Sequence, residues 1–171
     1  MRSVVISMVS IVIFIGCSKP SAEEMFSKGM GAQKAEQYDD AIASYQELIN
    51  VYPDSARTPE ALYAIGTIFQ NHKHSYPQAI QTFRSLVDKY PNHATSANAY
   101  FLIGFIYNNE LKNVDSARLV YEDFLKRYPG NQLTGSVEFE LKNLGKDPGE
   151  ILKEQTQMAR DEKKSAKKEK N

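Results

Sequence analysis

The 171-residue chain has no tryptophan, three histidines and a single cysteine, Cys17. With one thiol, no disulfide can form within the chain, so a disulfide-stabilised small fold is excluded. Lysine and arginine together number 21 and are matched by 21 acidic residues. This balance produces no net field that would attract nucleic acid to the whole molecule.

A long apolar run is also missing, since the only extended one covers residues 4–15 and is interrupted by Ser7 and Ser10. Twelve residues are too few to cross a bilayer as a helix. Arg2 precedes the run and small residues follow it, which is the arrangement of a secretory signal peptide. We therefore predict that residues 1–16 are a signal peptide and exclude them from the fold.

The end of this segment, Phe14-Ile15-Gly16-Cys17, resembles the bacterial lipobox. The resemblance implies cleavage before Cys17 and a covalent lipid, palmitate included, on its thiol, with residues 17–21 as a short linker. Ser18 after the cysteine implies, by the same resemblance, the outer membrane facing the periplasm. The alternative is an ordinary signal peptide with an incidental cysteine. No other cofactor is predicted.

One sequence phrase occurs three times, at residues 41–53, 79–91 and 117–129, each copy 38 residues after the last. Every copy opens on alanine, has an aromatic residue four positions later and ends in Tyr-Pro. The matching residues are Ala41, Tyr45, Tyr52 and Pro53; Ala79, Phe83, Tyr90 and Pro91; and Ala117, Tyr121, Tyr128 and Pro129. A fixed period of this length predicts stacked helical hairpins.

The chemistry of the phrase supports this prediction. The alanines, with Gly66 and Gly104 on the preceding helices, allow two backbones to approach closely. The aromatic side chain lies one helical turn after each alanine and is expected to fill the seam between the helices. Each proline ends the second helix, because it removes a backbone donor and disfavours helical geometry before it. We interpret Tyr-Pro as a helix stop without further chemistry.

The pattern resembles the tetratricopeptide repeat, whose usual unit has 34 residues. The resemblance implies an all-α, right-handed superhelix of about three hairpins, with a tetratricopeptide domain at residues 22–145. Its repeats are predicted at 22–54, 55–92 and 93–130, followed by a capping helix at 131–145. The extra length is attributed to longer turns at 71–76 and 109–114 and to longer connectors after Pro53 and Pro91. Lys28 replaces the isoleucine found at Ile65 and Ile103, which predicts looser packing of the first helix.

The carboxyl-terminal part predicts a cap and then a polar helix. Val137, Leu141 and Leu144 recur at helical spacing, and Glu138, Glu140 and Lys142 are expected to face solvent. Asp147-Pro148-Gly149-Glu150 is predicted to begin a new helix, with Ile151 and Leu152 docking its first turn. Residues 146–171 form this helix and a basic polar tail. The tail is either a solvated or disordered extension, or a contact for anionic lipid or an acidic partner.

Catalytic and metal-binding motifs are missing from the sequence. His72 and His74 are the only close histidine pair, and two such residues without further ligands do not make a metal site. No phosphate-binding glycine loop, nucleophile elbow or DNA-binding motif is present. We therefore predict a protein that is not an enzyme and binds neither metal nor nucleic acid.

Recognition of a protein or an extended peptide is the remaining function, because the first helices of stacked hairpins line a concave surface. Aromatic side chains there would anchor apolar groups, and amides would bind the peptide backbone. The predicted concave residues are Phe26, Met30, Gln33, Tyr63, Thr67, Gln70, Asn71, Phe101, Phe105, Asn108 and Asn109. The alternative is that Tyr63, Phe101 and Phe105 pack in the core. Tyr100 and Tyr107 are expected in the core.

The lipobox, the short linker and the Tyr-Pro-ended repeats together resemble the BamD family of outer-membrane β-barrel assembly lipoproteins. That resemblance implies a periplasmic scaffold, anchored in the outer membrane by its lipid, that helps outer-membrane proteins insert. The chain is shorter than the family pattern, with about three repeats. Two alternatives stay open: a cell-envelope or division adaptor of the Tol-Pal type, and a structural lipoprotein that assembles with itself. The oligomeric state, monomer or part of a hetero-complex, is likewise left open.

Overall fold

A computed structural model describes residues 19–168, and within this range every regular element is helical. The all-α prediction is therefore confirmed. Cys17 and the proposed signal peptide lie outside the described residues. The helices are α1 (Ala22–Lys34), α2 (Tyr38–Val51), α3 (Arg57–Asn71), α4 (Tyr76–Lys89), α5 (Ser96–Phe105), α6 (Val114–Arg127), α7 (Thr134–Lys142) and α8 (Pro148–Lys168), with a π-helical turn (Ile106–Glu110) after α5.

The helix ends follow local chemistry. Ser21 caps α1 in a reciprocal pair with Glu24: the Glu24 amide donates to Ser21 Oγ at 3.2 Å, and the Ser21 amide donates to Glu24 Oε2 at 2.7 Å. The Ser21 backbone bond lowers the pKa of Glu24. At the other end of each hairpin, Tyr52, Tyr90 and Tyr128 have ψ values of 60°, 55° and 55°. The following proline has displaced them from helical geometry, as predicted.

The seam of each hairpin has the predicted close packing. Ala41, Ala79 and Ala117 are fully buried, as are the rings of Tyr45, Phe83 and Tyr121. A Cβ atom built on the facing glycine, Gly29, Gly66 or Gly104, would lie less than 3.0 Å from the ring. Only glycine therefore allows the aromatic ring to lie directly on the first-helix backbone.

Two hydrophobic clusters form the core, one centred on the first hairpin and α3, the other on the second and third hairpins. Ile49 and Phe69 pack against both clusters and join them. Ile65 is buried because it lies in the first cluster, against the preceding hairpin. Lys28, at the equivalent position of α1, is exposed. It begins the stack, and no described helix precedes it.

The tyrosines of the Tyr-Pro pairs also connect neighbouring repeats, which the helix-stop interpretation missed. The Tyr90 hydroxyl donates to the Pro53 carbonyl at 2.7 Å, and the Tyr52 hydroxyl donates to the Pro20 carbonyl at 2.9 Å. The third copy differs, since the Tyr128 hydroxyl is buried and has no partner within residues 19–168. Tyr128 instead lines a cavity of about 440 Å³ that also touches Pro91.

The turn inside each hairpin contains one residue with a left-handed backbone. Glu36, His74 and Lys112 have φ values of 59°, 50° and 52° and occupy equivalent positions. In the third hairpin the last turn of the first helix widens into the π-helical turn, where the Leu111 amide donates to the Ile106 carbonyl at 3.0 Å. The longer turns expected at 71–76 and 109–114 contain His74 and Lys112.

At the carboxyl end, α7 buries Val137 and packs on α6, as expected of a capping helix. Two expectations were wrong. Glu140 is half-buried instead of facing solvent, because it turns toward Asn108. Leu152 is exposed and does not dock, whereas Ile151 is half-buried. No helix among residues 19–168 is both long and apolar enough to cross a membrane.

Candidate peptide-binding face

The first helices of the three hairpins lie side by side, since α1 contacts α3 and α3 contacts α5. Equivalent positions therefore form rows across them, and we call this surface the first-helix face. The aromatic row is Phe26, Tyr63 and Phe101; the middle row is Met30, Thr67 and Phe105; the amide row is Gln33, Gln70 and Asn108; and Asn71 and Asn109 lie just beyond it. All eleven residues of the predicted concave surface belong to this face.

The aromatic row packs on the seam aromatics of its own hairpins. Phe26 lies 5.4 Å from Tyr45 between ring centroids, and its ring is covered by the Arg57 guanidinium at 4.9 Å. Phe26 is consequently buried and offers little contact surface. Tyr63 and Phe101 are only half-buried, so each serves the hairpin and also retains an accessible edge.

Tyr63 lies 5.9 Å from Phe83, and Phe101 lies 5.8 Å from Tyr121. Burial raises the pKa of Tyr63. Tyr100, one residue before Phe101, is in the core as expected, and burial followed by its hydrogen bond to Asp123 raises its pKa to about 12. The face is therefore built on a rigid aromatic layer.

The middle row is more accessible at its first member. Met30 has 47% of its surface exposed, Phe105 is half-buried, and the Thr67 hydroxyl donates to the Ala64 carbonyl. A cavity of about 740 Å³ adjoins Met30 and Gln33 at the amino-terminal end of the face. Its outer wall contains His72, whose ring stacks on Tyr38 at 4.0 Å between centroids.

The side chains of the amide row differ in their hydrogen bonds. Gln33 accepts from the Tyr45 hydroxyl at 3.1 Å, and Asn108 accepts from the Gly145 amide at 3.2 Å. Gln70 is 9% exposed, and its Oε1 has no partner among the described residues. Asn109 donates to the Phe105 carbonyl, and Asn71 is exposed. The row thus contains two engaged amides with a free acceptor between them.

Phe139 continues the aromatic row and was not predicted from the sequence. Phe139 on α7 lies 38 positions after Phe101 and so continues the aromatic series. It is 43% exposed, and α7 contributes no second helix whose aromatic residue would cover it. The 38-residue period, extended into the capping helix, identifies Phe139 from the sequence alone.

A family model described as an outer membrane lipoprotein, YfiO, matches residues 18–164. This span exceeds half of the chain and includes every helix of the repeat domain. The chain belongs to the YfiO family. The match supports the resemblance to BamD-type outer-membrane lipoproteins drawn from the repeats and the lipobox.

Solved structures similar to this YfiO family member are tetratricopeptide domains. The N-terminal domain of stress-induced protein-1 from C. elegans is 14% identical with a TM-score of 0.58, covering 71% of this chain and 94% of that one. The Arabidopsis OM64 TPR domain is 21% identical with a TM-score of 0.54, covering 71% and 93%. A yeast Sti1 structure, titled as a complex of its TPR2AB domain with pHSP90, is 21% identical with a TM-score of 0.56, covering 71% and 47%. The predicted tetratricopeptide fold is confirmed, and no curated protein matches the sequence.

One carboxyl group, that of Glu140 on the capping helix, lies at the carboxyl end of the face. Within residues 19–168, no cluster of three or more histidine, cysteine, aspartate or glutamate side chains could hold a metal ion. Glu140 approaches Asn108 from the capping helix, and burial raises its pKa above the ordinary value of 4.5, while the Asn108 hydrogen bond opposes the shift. The carboxyl end of the face therefore contains a carboxyl group whose ionisation is disfavoured by burial.

We expect Glu140→Gln to stabilise this YfiO family member more at pH 7.5 than at pH 4. Below pH 4.5 the carboxyl is protonated in both folded and unfolded chains, so ionisation imposes no penalty. As the pH rises through the raised folded pKa, the buried carboxylate lowers the stability of the natural chain but not of the variant. Urea unfolding at both pH values measures the difference, and Glu138→Gln, on the exposed side of α7, is the control. An equal gain at both pH values would contradict the assignment.

Proposed function

We propose that this YfiO family member is a non-catalytic scaffold that binds an extended segment of a partner protein on its first-helix face. The observation that carries the proposal is the accessible combination of aromatic and amide groups on that face. Tyr63, Phe101 and Met30 offer apolar contact, Asn71 offers an exposed amide, and the buried Gln70 has an Oε1 that the fold does not use. Apolar anchors flanked by polar groups are typical of protein recognition sites.

The proposed location is supported by the family description and by the resemblance of residues 14–17 to the lipobox. We propose that the thiol of Cys17 bears the lipid and that the domain faces the periplasm from the outer membrane, in line with the family description. Several acyl chains anchor a protein stably, since each buried methylene contributes about 0.8 kcal/mol. Loss of labelled palmitate and of membrane fractionation in Cys17→Ser would support this, and unchanged labelling would reject it.

Assembly of outer-membrane proteins is the role we propose within the envelope. The outer-membrane lipoprotein family supports it, together with a face suited to unfolded segments. Adaptor function of the Tol-Pal type and self-assembly become outcomes of the same experiment. The partner would be protein, with the membrane contacted through the lipid.

Site-specific photocrosslinking in the native envelope tests the proposal. A photoreactive residue at Asn71 is expected to capture outer-membrane proteins or assembly components. The control position is Leu119 on α6, which is 67% exposed but belongs to a second helix. Capture of division or peptidoglycan factors would favour the adaptor role, and capture of a second copy would favour self-assembly. Equal capture from Asn71 and Leu119 would reject the first-helix face as the binding surface.

The substitutions that disrupt binding must spare the fold. The sequence alone favours replacing Phe101 and Asn108, but Phe101 packs on Tyr121 and Asn108 holds the Gly145 amide. Both changes would lower stability along with binding. Asn71→Ala and Met30→Ser are better choices, because both side chains are exposed.

A further inference from the structure

The amide row contains one acceptor that the fold leaves unused, and its origin is a single difference between repeats. In the first hairpin the Tyr45 hydroxyl donates to Gln33. The equivalent of Tyr45 in the second hairpin is Phe83, which has no hydroxyl, so Oε1 of Gln70 is buried without a partner. Gln70 lacks a hydrogen-bond donor because the residue opposite it is Phe83, and not because Gln70 occupies a different position from Gln33.

The two hairpins are otherwise alike at this point. The ring atoms Cε1, Cδ1 and Cζ of Tyr45 are the nearest neighbours of a Cβ built on Gly29, in that order. The same atoms of Phe83 are the nearest neighbours of a Cβ on Gly66, in the same order. The para position of Phe83 therefore corresponds to the one from which Tyr45 reaches its glutamine.

A buried acceptor without a donor lowers stability, and native proteins have few of them. Gln70 lies in the centre of the first-helix face, between the engaged amides of Gln33 and Asn108. We infer that Gln70 is the residue that binds the backbone of the partner segment, with its amide turning toward the ligand. This inference rests on the proposed function and names the ligand chemistry of the same face.

The ligand that fits is a peptide in an extended, polyproline-II-like conformation. A helical ligand uses its backbone groups internally, whereas a polyproline-II segment leaves all of them free for Gln70 and Asn71. Tyr63 and Phe101 occupy equivalent positions on adjacent helices, whose axes lie about 10 Å apart. Three residues of polyproline II span about 9.3 Å and return the side chain to the same side. Two residues of a β-strand span only about 7 Å.

The test uses two fluorescent ten-residue peptides of the same composition and the full mature chain. Each contains three phenylalanines among proline and threonine, spaced three residues apart in the first peptide and two residues apart in the second. We expect the first to bind at least about fivefold more tightly, as measured by fluorescence anisotropy. Equal binding, or tighter binding of the second, would overturn the polyproline-II assignment.

Two substitutions test the role of Gln70. Phe83→Tyr supplies the missing hydroxyl and is expected to raise the melting temperature by about 2–4 °C while weakening binding of the first peptide about fivefold. Gln70→Leu removes the amide and is expected to weaken binding about tenfold without lowering the melting temperature. Gln46→Leu is the control, because Gln46 is an exposed glutamine of the second helix α2, outside the first-helix face, and its loss should leave binding unchanged.

The outcomes separate this inference from the proposed function. If Phe83→Tyr stabilises the chain but leaves peptide affinity unchanged, Gln70 is not the ligand-binding amide. The same conclusion follows if Gln70→Leu and Gln46→Leu weaken binding equally. Crosslinking from Asn71 would still succeed in either case if the scaffold role is correct, and its failure would reject that role independently.

Discussion

Gly66→Ala is expected to lower the free energy of unfolding by about 2–3 kcal/mol, although alanine is the better helix former. The new methyl group would lie less than 3.0 Å from the Phe83 ring, which is fully buried and cannot move away. The ring would have to leave its place beside Ala79, or α3 and α4 would have to separate. Both changes disturb the larger hydrophobic cluster, so the cost of overpacking exceeds the gain in helix propensity.

Gly31 provides the matched control. It lies in the last turn of α1, and a Cβ atom built on it meets nothing within 4 Å. Gly31→Ala is therefore expected to stabilise the chain by about 0.5–1 kcal/mol. Urea denaturation followed by circular dichroism gives both values. The close-packed seam would be disproved if the two substitutions shifted stability in the same direction.

Tyr121→Ala is expected to have the largest effect of any single truncation, a loss of about 3–5 kcal/mol. The ring is fully buried between Gly104 and Ala117 and supports Phe101 on the first-helix face. Its removal would leave a cavity in the third hairpin, which the short capping helix cannot fill. Weaker peptide binding should accompany the loss, because Phe101 would lose its support.

Tyr121→Phe separates the ring from its hydroxyl. That hydroxyl is buried without a partner among residues 19–168, and burial raises its pKa. Removing it should cost nothing or stabilise the chain slightly, whereas Tyr45→Phe should cost about 1 kcal/mol because it loses the bond to Gln33. Thermal melts of the two variants provide the comparison. A large loss for Tyr121→Phe would mean that its hydroxyl has a partner after all.

The fold was predictable because the residues that determine helix packing recur in three copies of one sequence pattern. Ala79 and Phe83 specify a tight seam on the second helix, Gly66 specifies the surface that receives the ring, and Pro91 specifies where the helix ends. Each of these effects is local to one hairpin. The agreement of three copies then distinguishes the rule from coincidence.

Contacts between hairpins were harder to foresee. The bond from the Tyr90 hydroxyl to the Pro53 carbonyl joins residues 37 positions apart and depends on how two connectors approach. Glu140 was misplaced for the same reason, since its spacing on α7 gives no sign that Asn108 lies opposite. Such features need the relative placement of whole hairpins.

The positions of the candidate site residues were predictable from the sequence. Which of these side chains lack a partner or are covered by another residue was not. Spacing from the glycines places Gln33, Gln70 and Asn108 in one row. Which amide is free depends on the residue facing it from another helix, a hydroxyl from Tyr45 or none from Phe83. Phe26 likewise belongs to the row, yet Arg57 covers it.

The hydrogen bonds from tyrosine hydroxyls to preceding proline carbonyls differ between the two ends of the molecule. The hydroxyls of Tyr52 and Tyr90 each bond to a preceding proline carbonyl, whereas Tyr128 lines a cavity and packs its ring against Tyr100. The Tyr52 bond to Pro20 therefore joins the first repeat directly to the segment that leads to the proposed lipid at Cys17, so a force on that anchor would reach the folded domain within a few residues.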